Sequence, residues 1–123
     1  MERVTIAPFD QYAMPTFVIH NGIVEISHFG GTYDEEGNVL KTIEEQTIQT
    51  FKYLEKALKE IELSLCDLVK VTVILKSIKD FKGMHDGWLK SLDSSCYPAR
   101  MTITSDFVDD DCLIQIDAVA AKY

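Results

Sequence analysis

Nothing in this chain approaches the roughly eighteen consecutive apolar residues of a membrane span, and its first residues, Met1-Glu2-Arg3-Val4, lack the basic-then-apolar order of a signal peptide. We therefore expect a cytoplasmic protein with no membrane partner. Basic patches are missing too. Twelve Lys and Arg face twenty Asp and Glu, a formal charge of −8, and the acids gather at Glu35-Glu36, Glu44-Glu45 and Asp109-Asp110-Asp111. Such a surface repels a phosphate backbone and excludes nucleic acid as an expected partner. Cys66, Cys96 and Cys112 are odd in number and match no zinc or redox spacing, so we expect three reduced thiols. His20, His28 and His85 lack metal-ligand spacing, and neither HExxH nor GxSxG occurs. The glycines at Gly30-Gly31 and Gly37 lack the spacing of a phosphate-cradling loop. We expect no metal and no cofactor. With no repeat, low-complexity stretch or linker, and 46% hydrophobic residues, 1–123 reads as one domain.

What is present reads as alternating strands and helices. Phe17–His20 and Ile23–Ser27 flank Asn21-Gly22, the dipeptide best suited to a type I′ turn, and predict a β-hairpin. The stretch before it, through Phe9 and Tyr12, has no period, and Pro15 bars a helix, so an irregular arm is expected. Thr42 opens the longest helix with Glu45 three residues on, and Ile43, Thr47, Phe51, Leu54, Leu58 and Ile61 form its core stripe. Val69, Val71, Val73 and Leu75 give the next strand one apolar face, while Lys70, Thr72 and Ile74 give it a mixed one. A second helix, capped by Ser77 and Asp80, aligns Phe81, Met84, Trp88 and Leu92, and Gly83 and Gly87 suggest close packing. The strands Arg100–Phe107 and Leu113–Ala120 then flank the acidic run and are expected to pair with each other. In the second of them, Ile114, Ile116 and Ala118 share one face and Gln115, Asp117 and Val119 the other.

This order predicts an α+β domain with two helices on one face of a mixed sheet. The mixed opposite face argues for a homo-oligomer with a pocket at the subunit seam. One residue asks for a ligand. Arg100 heads the β-branched run of Tyr97-Pro98-Ala99-Arg100-Met101-Thr102-Ile103-Thr104, where a permanently charged guanidinium needs either an internal carboxylate or a bound one. His85, beside the stripe of the second helix, is open to a surface, packing or functional reading.

Four stretches carry a resemblance: Glu44-Glu45-Gln46-Thr47, Leu68 to Leu75 with Asp80-Phe81 after it, Pro98-Ala99-Arg100, and Ile114 to Ala120. In their order and intervals, from about Asn21 onward, they resemble the RidA/YjgF family. The resemblance implies a chorismate-mutase-like (YjgF-like) fold assembled as a trimer with three clefts between subunits. It implies hydrolysis of enamines and imines such as 2-aminoacrylate and 2-iminobutyrate to 2-oxo acids and ammonia. Carried over by position, Arg100 would hold the substrate carboxylate, Ser27 matches the family's hairpin-end serine, and Phe9 or Tyr12 its N-terminal aromatic. His28 stands where a glycine is usual, His85 replaces an asparagine, and Thr102 occupies a position often held by cysteine or a hydroxyl residue. Gln115 replaces the glutamate assigned to water activation, and Asp117 matches a second acidic position. Glutamine can orient water but cannot take its proton, and general-base help is worth about 10²- to 10⁴-fold. The expected activity is therefore a 2-iminobutanoate/2-iminopropanoate-type deaminase with Arg100, Gln115 and Asp117 as its catalytic candidates. The alternative is a weak or inactive trimer that binds small 2-oxo acids. Ribonuclease activity, ascribed to some relatives, is disfavoured by the acidic composition.

Overall fold

Asn21 and Gly22 both take positive φ, 51° and 77°, the pair of left-handed conformations that closes a type I′ turn between twisted strands. The computed structural model describes residues 1–123. Its elements are β1 (Glu2–Val4), β2 (Phe17–His20), β3 (Ile23–Gly30), α1 (Ile43–Lys59), β4 (Leu68–Leu75), α2 (Phe81–Ser91), β5 (Ala99–Thr104) and β6 (Ile114–Ala121). The six strands form one mixed sheet in the order β1-β2-β3-β6-β4-β5. Only β4 and β5 run parallel. No helix is long and apolar enough to cross a membrane.

The expected pairing of the last two strands is corrected. β6 lies between β3 and β4, and β5 pairs only with β4. The cause is the α2 crossover, which returns the chain beside β4 in the same direction and leaves β5 on the sheet edge. The arm is also more regular than expected. Glu2–Val4 pairs with β2, and Thr16 Oγ1 accepts from the Ile6 backbone N–H at 2.8 Å, so the arm folds along the hairpin. In β4 the simple alternation fails at its start. A register shift between Leu68 and Lys70 buries Leu68 and leaves Val69 52% exposed, while Val71, Val73 and Leu75 are buried as expected.

The α1 stripe covers the inner sheet face, where Phe51, Leu54 and Leu58 pack with Val24, Ile26, Val73, Ile116 and Ala118. Thr42 begins the helix by accepting from the Glu45 N–H at 3.1 Å. At α2, Ser77 caps the preceding 3₁₀ turn, while Asp80 makes no side-chain cap. The two helices touch through Gly87, where a Cβ would sit 2.8 Å from Thr47 Cβ.

The cysteine expectation is corrected as well. Cys66 and Cys96 form a disulfide, and only Cys112 is free, in a buried position. Parallel strands begin side by side, so the 3₁₀ turns Leu65–Asp67 and Ser94–Cys96 that precede β4 and β5 meet in space across a sequence separation of 30. Sequence spacing alone does not carry that adjacency.

Candidate functional site

Arg100 is the second residue of the edge strand and lies across from Val71, on the helix-covered face. Its guanidinium carbon sits 4.7 Å from the Trp88 ring centre and 5.6 Å from that of Phe81, both supplied by α2. Nη1 donates to His85 Nδ1 at 3.2 Å. Arginine keeps its proton, so Nδ1 must accept, and the neutral imidazole carries its hydrogen on Nε2. The His85 ring lies parallel to Phe81, 6.3 Å between centres. No carboxylate reaches Arg100, since the ion pairs of the chain are His20–Glu25, Lys82–Asp86 and Lys90–Glu44. The internal salt bridge left open by the sequence is absent. Thr102 follows on the same face of β5 and is half-buried.

A second group of residues surrounds a cavity of about 740 Å³ between the arm, the end of β3, α1 and the loop after β3. Phe9 is buried at its wall, packed on Phe29 at 5.2 Å, and Tyr12 meets it edge-on at 6.3 Å with its own ring largely exposed. His28 stands on the same wall, 6.5 Å from Phe9. Gln115 lies opposite Gly30 in the β3–β6 ladder, and Gly30 leaves its side chain uncovered: a Cβ there would come within 3.7 Å of Gln115 Cγ. The Gln115 amide nitrogen points to Cys112 Sγ at 3.8 Å, which leaves its carbonyl oxygen free to accept.

On the same cavity Tyr33 donates to the Asp109 carboxylate, and Tyr53 donates to the Tyr33 carbonyl at 2.8 Å. The first bond holds the Tyr33 phenol above its ordinary range and the Asp109 carboxyl below it. Tyr53 is raised chiefly by burial.

A family model described as Endoribonuclease L-PSP matches residues 2–122. A RutC family protein of Aquifex aeolicus is 32% identical over 122 residues, 97% of this chain and 92% of the relative. The chain belongs to the RidA/YjgF family. A RutC family protein of Pyrococcus abyssi is 36% identical over 89 residues, 72% of this chain and 69% of the relative. Among solved structures, a YjgF family member from Neisseria meningitidis superposes with a TM-score of 0.83 at 17% identity, covering 99% of this chain and 94% of that one. RidA from the Antarctic bacterium Psychrobacter gives 0.80 at 21% identity, over 98% and 95%. These structures establish the YjgF fold, a mixed six-stranded sheet with two helices.

Within this RidA/YjgF chain the residues singled out by sequence fall into two places. Arg100, His85 and Thr102 belong to the β5 edge under α2. Phe9, Tyr12 and Gln115 belong to the cavity at the opposite side of β3. Gln115 and Arg100 project from opposite sheet faces, because Gln115 is opposite Ile74 while Arg100 is opposite the buried Val71. Asp117 is exposed on the face of Gln115, opposite Thr72, and outside the cavity wall. Ser27 is tied to the arm, its hydroxyl donating to the Pro15 carbonyl at 2.6 Å. Tyr33, Tyr53 and Cys112, which the sequence did not mark, complete the cavity. They come from segments far apart in the chain, and no local pattern announces them.

Proposed function

We propose that this RidA/YjgF protein hydrolyses enamines and imines derived from small amino acids to 2-oxo acids and ammonia, with Arg100 holding the substrate carboxylate. The observation that carries the reading is the state of Arg100: a half-buried guanidinium backed by Trp88 and Phe81, with a neutral imidazole as its polar partner and no carboxylate in reach. A planar fork in that position suits a carboxylate, which it grips by parallel hydrogen bonds. The protonated imine carbon is already electrophilic. Water adds to it, one proton of that water moves to nitrogen, the C–N bond of the resulting carbinolamine breaks to expel ammonia, and the remaining hydroxyl proton passes to that ammonia, leaving the 2-oxo acid and ammonium. Gln115 orients that water through its free carbonyl oxygen, and Asp117 is the nearest carboxylate along its strand.

The reading includes a homotrimer. Two features support it: the opposite-face placement of Arg100 and Gln115, which lets the Arg100 edge of one copy meet the cavity of another, and apolar side chains exposed on the sheet face away from the helices, including Ile23, Met101 and Ile103. Light scattering at the protomer mass of 13.9 kDa at micromolar concentration sinks that part. The activity itself is tested with freshly generated 2-aminoacrylate in a coupled assay. Accelerated release of pyruvate and ammonia is expected, and Arg100→Ala should weaken 2-oxo acid binding by about 1.5–3 kcal/mol, the scale of a charged hydrogen bond. Gln115 favours one competing reading, a carboxylate-binding trimer, which the same assay separates: 2-oxo acids bind and imines decay at their spontaneous rate. The formal charge of −8 and the absence of a basic stripe give the nuclease description of the family model no physical support in this chain.

A further inference from the structure

His85 touches Arg100 through the one ring nitrogen whose protonation would undo the contact. Nδ1 accepts from Nη1, so a proton there removes the hydrogen bond and sets two cations against each other. An arriving carboxylate reverses the sign. It neutralises the guanidinium, brings four acceptor positions to the same place, and can take a hydrogen bond from a protonated Nδ1. Arginine cannot release its proton, so any proton the pair gains or loses is carried by the imidazole.

We propose that His85 makes carboxylate capture at Arg100 proton-linked: the site takes up a proton on His85 as an anionic ligand binds, and binding tightens as pH falls from 8 to 6. The proposal rests on the reading that Arg100 holds the ligand carboxylate.

Within one chain the surroundings leave the linkage to this pair. On its own helix, Lys82 and Asp86 flank His85 in sequence and pair with each other at 3.1 Å. From α1, which packs on α2 through Gly83 and Gly87, Glu44 is taken by Lys90 at 3.0 Å. β5 contributes Arg100 and the uncharged Thr102. Tyr97 meets Trp88 at 6.4 Å, ring centre to ring centre. Phe81, parallel to the imidazole, and Trp88, beneath the guanidinium, line the pair with apolar surface.

Calorimetry with pyruvate at pH 6, 7 and 8, in buffers of different ionisation heat, tests the proposal, since pyruvate stays ionised throughout. Wild type should bind about fivefold more tightly at pH 6 than at pH 8, equivalent to ~1 kcal/mol and the upper end for a partly exposed ion pair, with net proton uptake. His85→Asn should bind with one affinity across the range and no uptake, whereas His28→Asn, which removes the imidazole at the cavity, should keep the slope. A flat wild-type profile, or a slope that survives in His85→Asn, overturns the linkage and leaves Arg100 as the carboxylate site. Pyruvate binding that is unchanged in Arg100→Ala, or absent from wild type at every pH, overturns the Arg100 reading itself and the linkage with it.

Discussion

Replacing Gln46 with leucine tests the fold where one side chain joins the most distant pieces of chain. Gln46 is fully buried on α1; its amide donates to the carbonyls of Leu40 at 2.9 Å and Asp111 at 2.8 Å, and its carbonyl accepts from the Leu113 N–H at 2.9 Å. Leucine fills a similar volume and answers none of these three backbone groups. An orphaned buried group costs about 1–3 kcal/mol. Leu40 and Leu113 are only half-buried and Asp111 is exposed, so water can rescue part of the loss, and we expect Gln46→Leu to lose about 3–5 kcal/mol. Urea denaturation measures it, with wild type and variant compared at one fixed protein concentration. Gln46→Glu adds a sign. A carboxylate keeps the acceptor for Leu113 but turns negative oxygen toward two carbonyls, which raises its folded pKa. The variant should therefore regain stability as pH falls and the protonated acid restores one donor. A loss under about 1 kcal/mol in Gln46→Leu, or a Glu variant as stable at pH 8 as at pH 5, refutes the idea that this side chain clamps the two loops.

Cys66→Ser opens the loop of sequence separation 30 and should lower stability by about 3.7 kcal/mol on chain-entropy grounds; equal denaturation midpoints in oxidised wild type and variant would show that the crosslink constrains nothing. Gln115→Glu should raise imine hydrolysis at least about tenfold and add an ionisation to the acidic limb of the rate profile, and a folded, ligand-binding variant that is no faster removes Gln115 as the missing base. Tyr33→Phe should flatten the pH profile of the thermal midpoint at both ends. The depressed Asp109 stabilises above its ordinary 3.8 and loses that as pH falls through its folded value, while the raised Tyr33 stabilises below 10.0 and loses it as pH climbs; an unaltered acid limb in the variant places the effect elsewhere. Gly87→Ala sets its new methyl 2.8 Å from Thr47 Cβ and 3.1 Å from the Glu44 carbonyl, so it should destabilise by about 1–2 kcal/mol, net of the ~1 kcal/mol gain in helix propensity, and a stabilised variant disproves the close contact.

Features with a local cause were legible in the sequence. The Asn21-Gly22 turn, the Thr42 cap, the α1 stripe and the two faces of β6 each follow from residues within one or two turns of chain, and each stands as expected. Features set by neighbours were not. The short β1 has no alternation of its own and exists because β2 offers an edge, the bulge at Val69 is a property of the β4–β6 ladder, and Cys66 meets Cys96 because two parallel strands begin together. Arg100 was marked by its charge among β-branched residues, but its neutral partner was not readable, since His85 reaches it only across the crossover. The motif around Gln46 was visible as a motif, and its physical reason lies in carbonyls six and sixty-five residues away.

The place of β6 bears on how the molecule is made. Synthesis delivers the strands in chain order, yet β6, made after all the others, occupies the middle of the sheet. Until it arrives, β1-β2-β3 and β4-β5 are separate half-sheets, with the inner edges of β3 and β4 unpaired and open to the solvent of a crowded cell. The nascent chain thus carries two adhesive margins through most of translation, and a single late strand quenches both. A slow ribosome between β5 and β6 would lengthen that exposure, so chaperone demand should track the pace of decoding over the acidic Asp109–Asp111 stretch more closely than the stability of the finished fold.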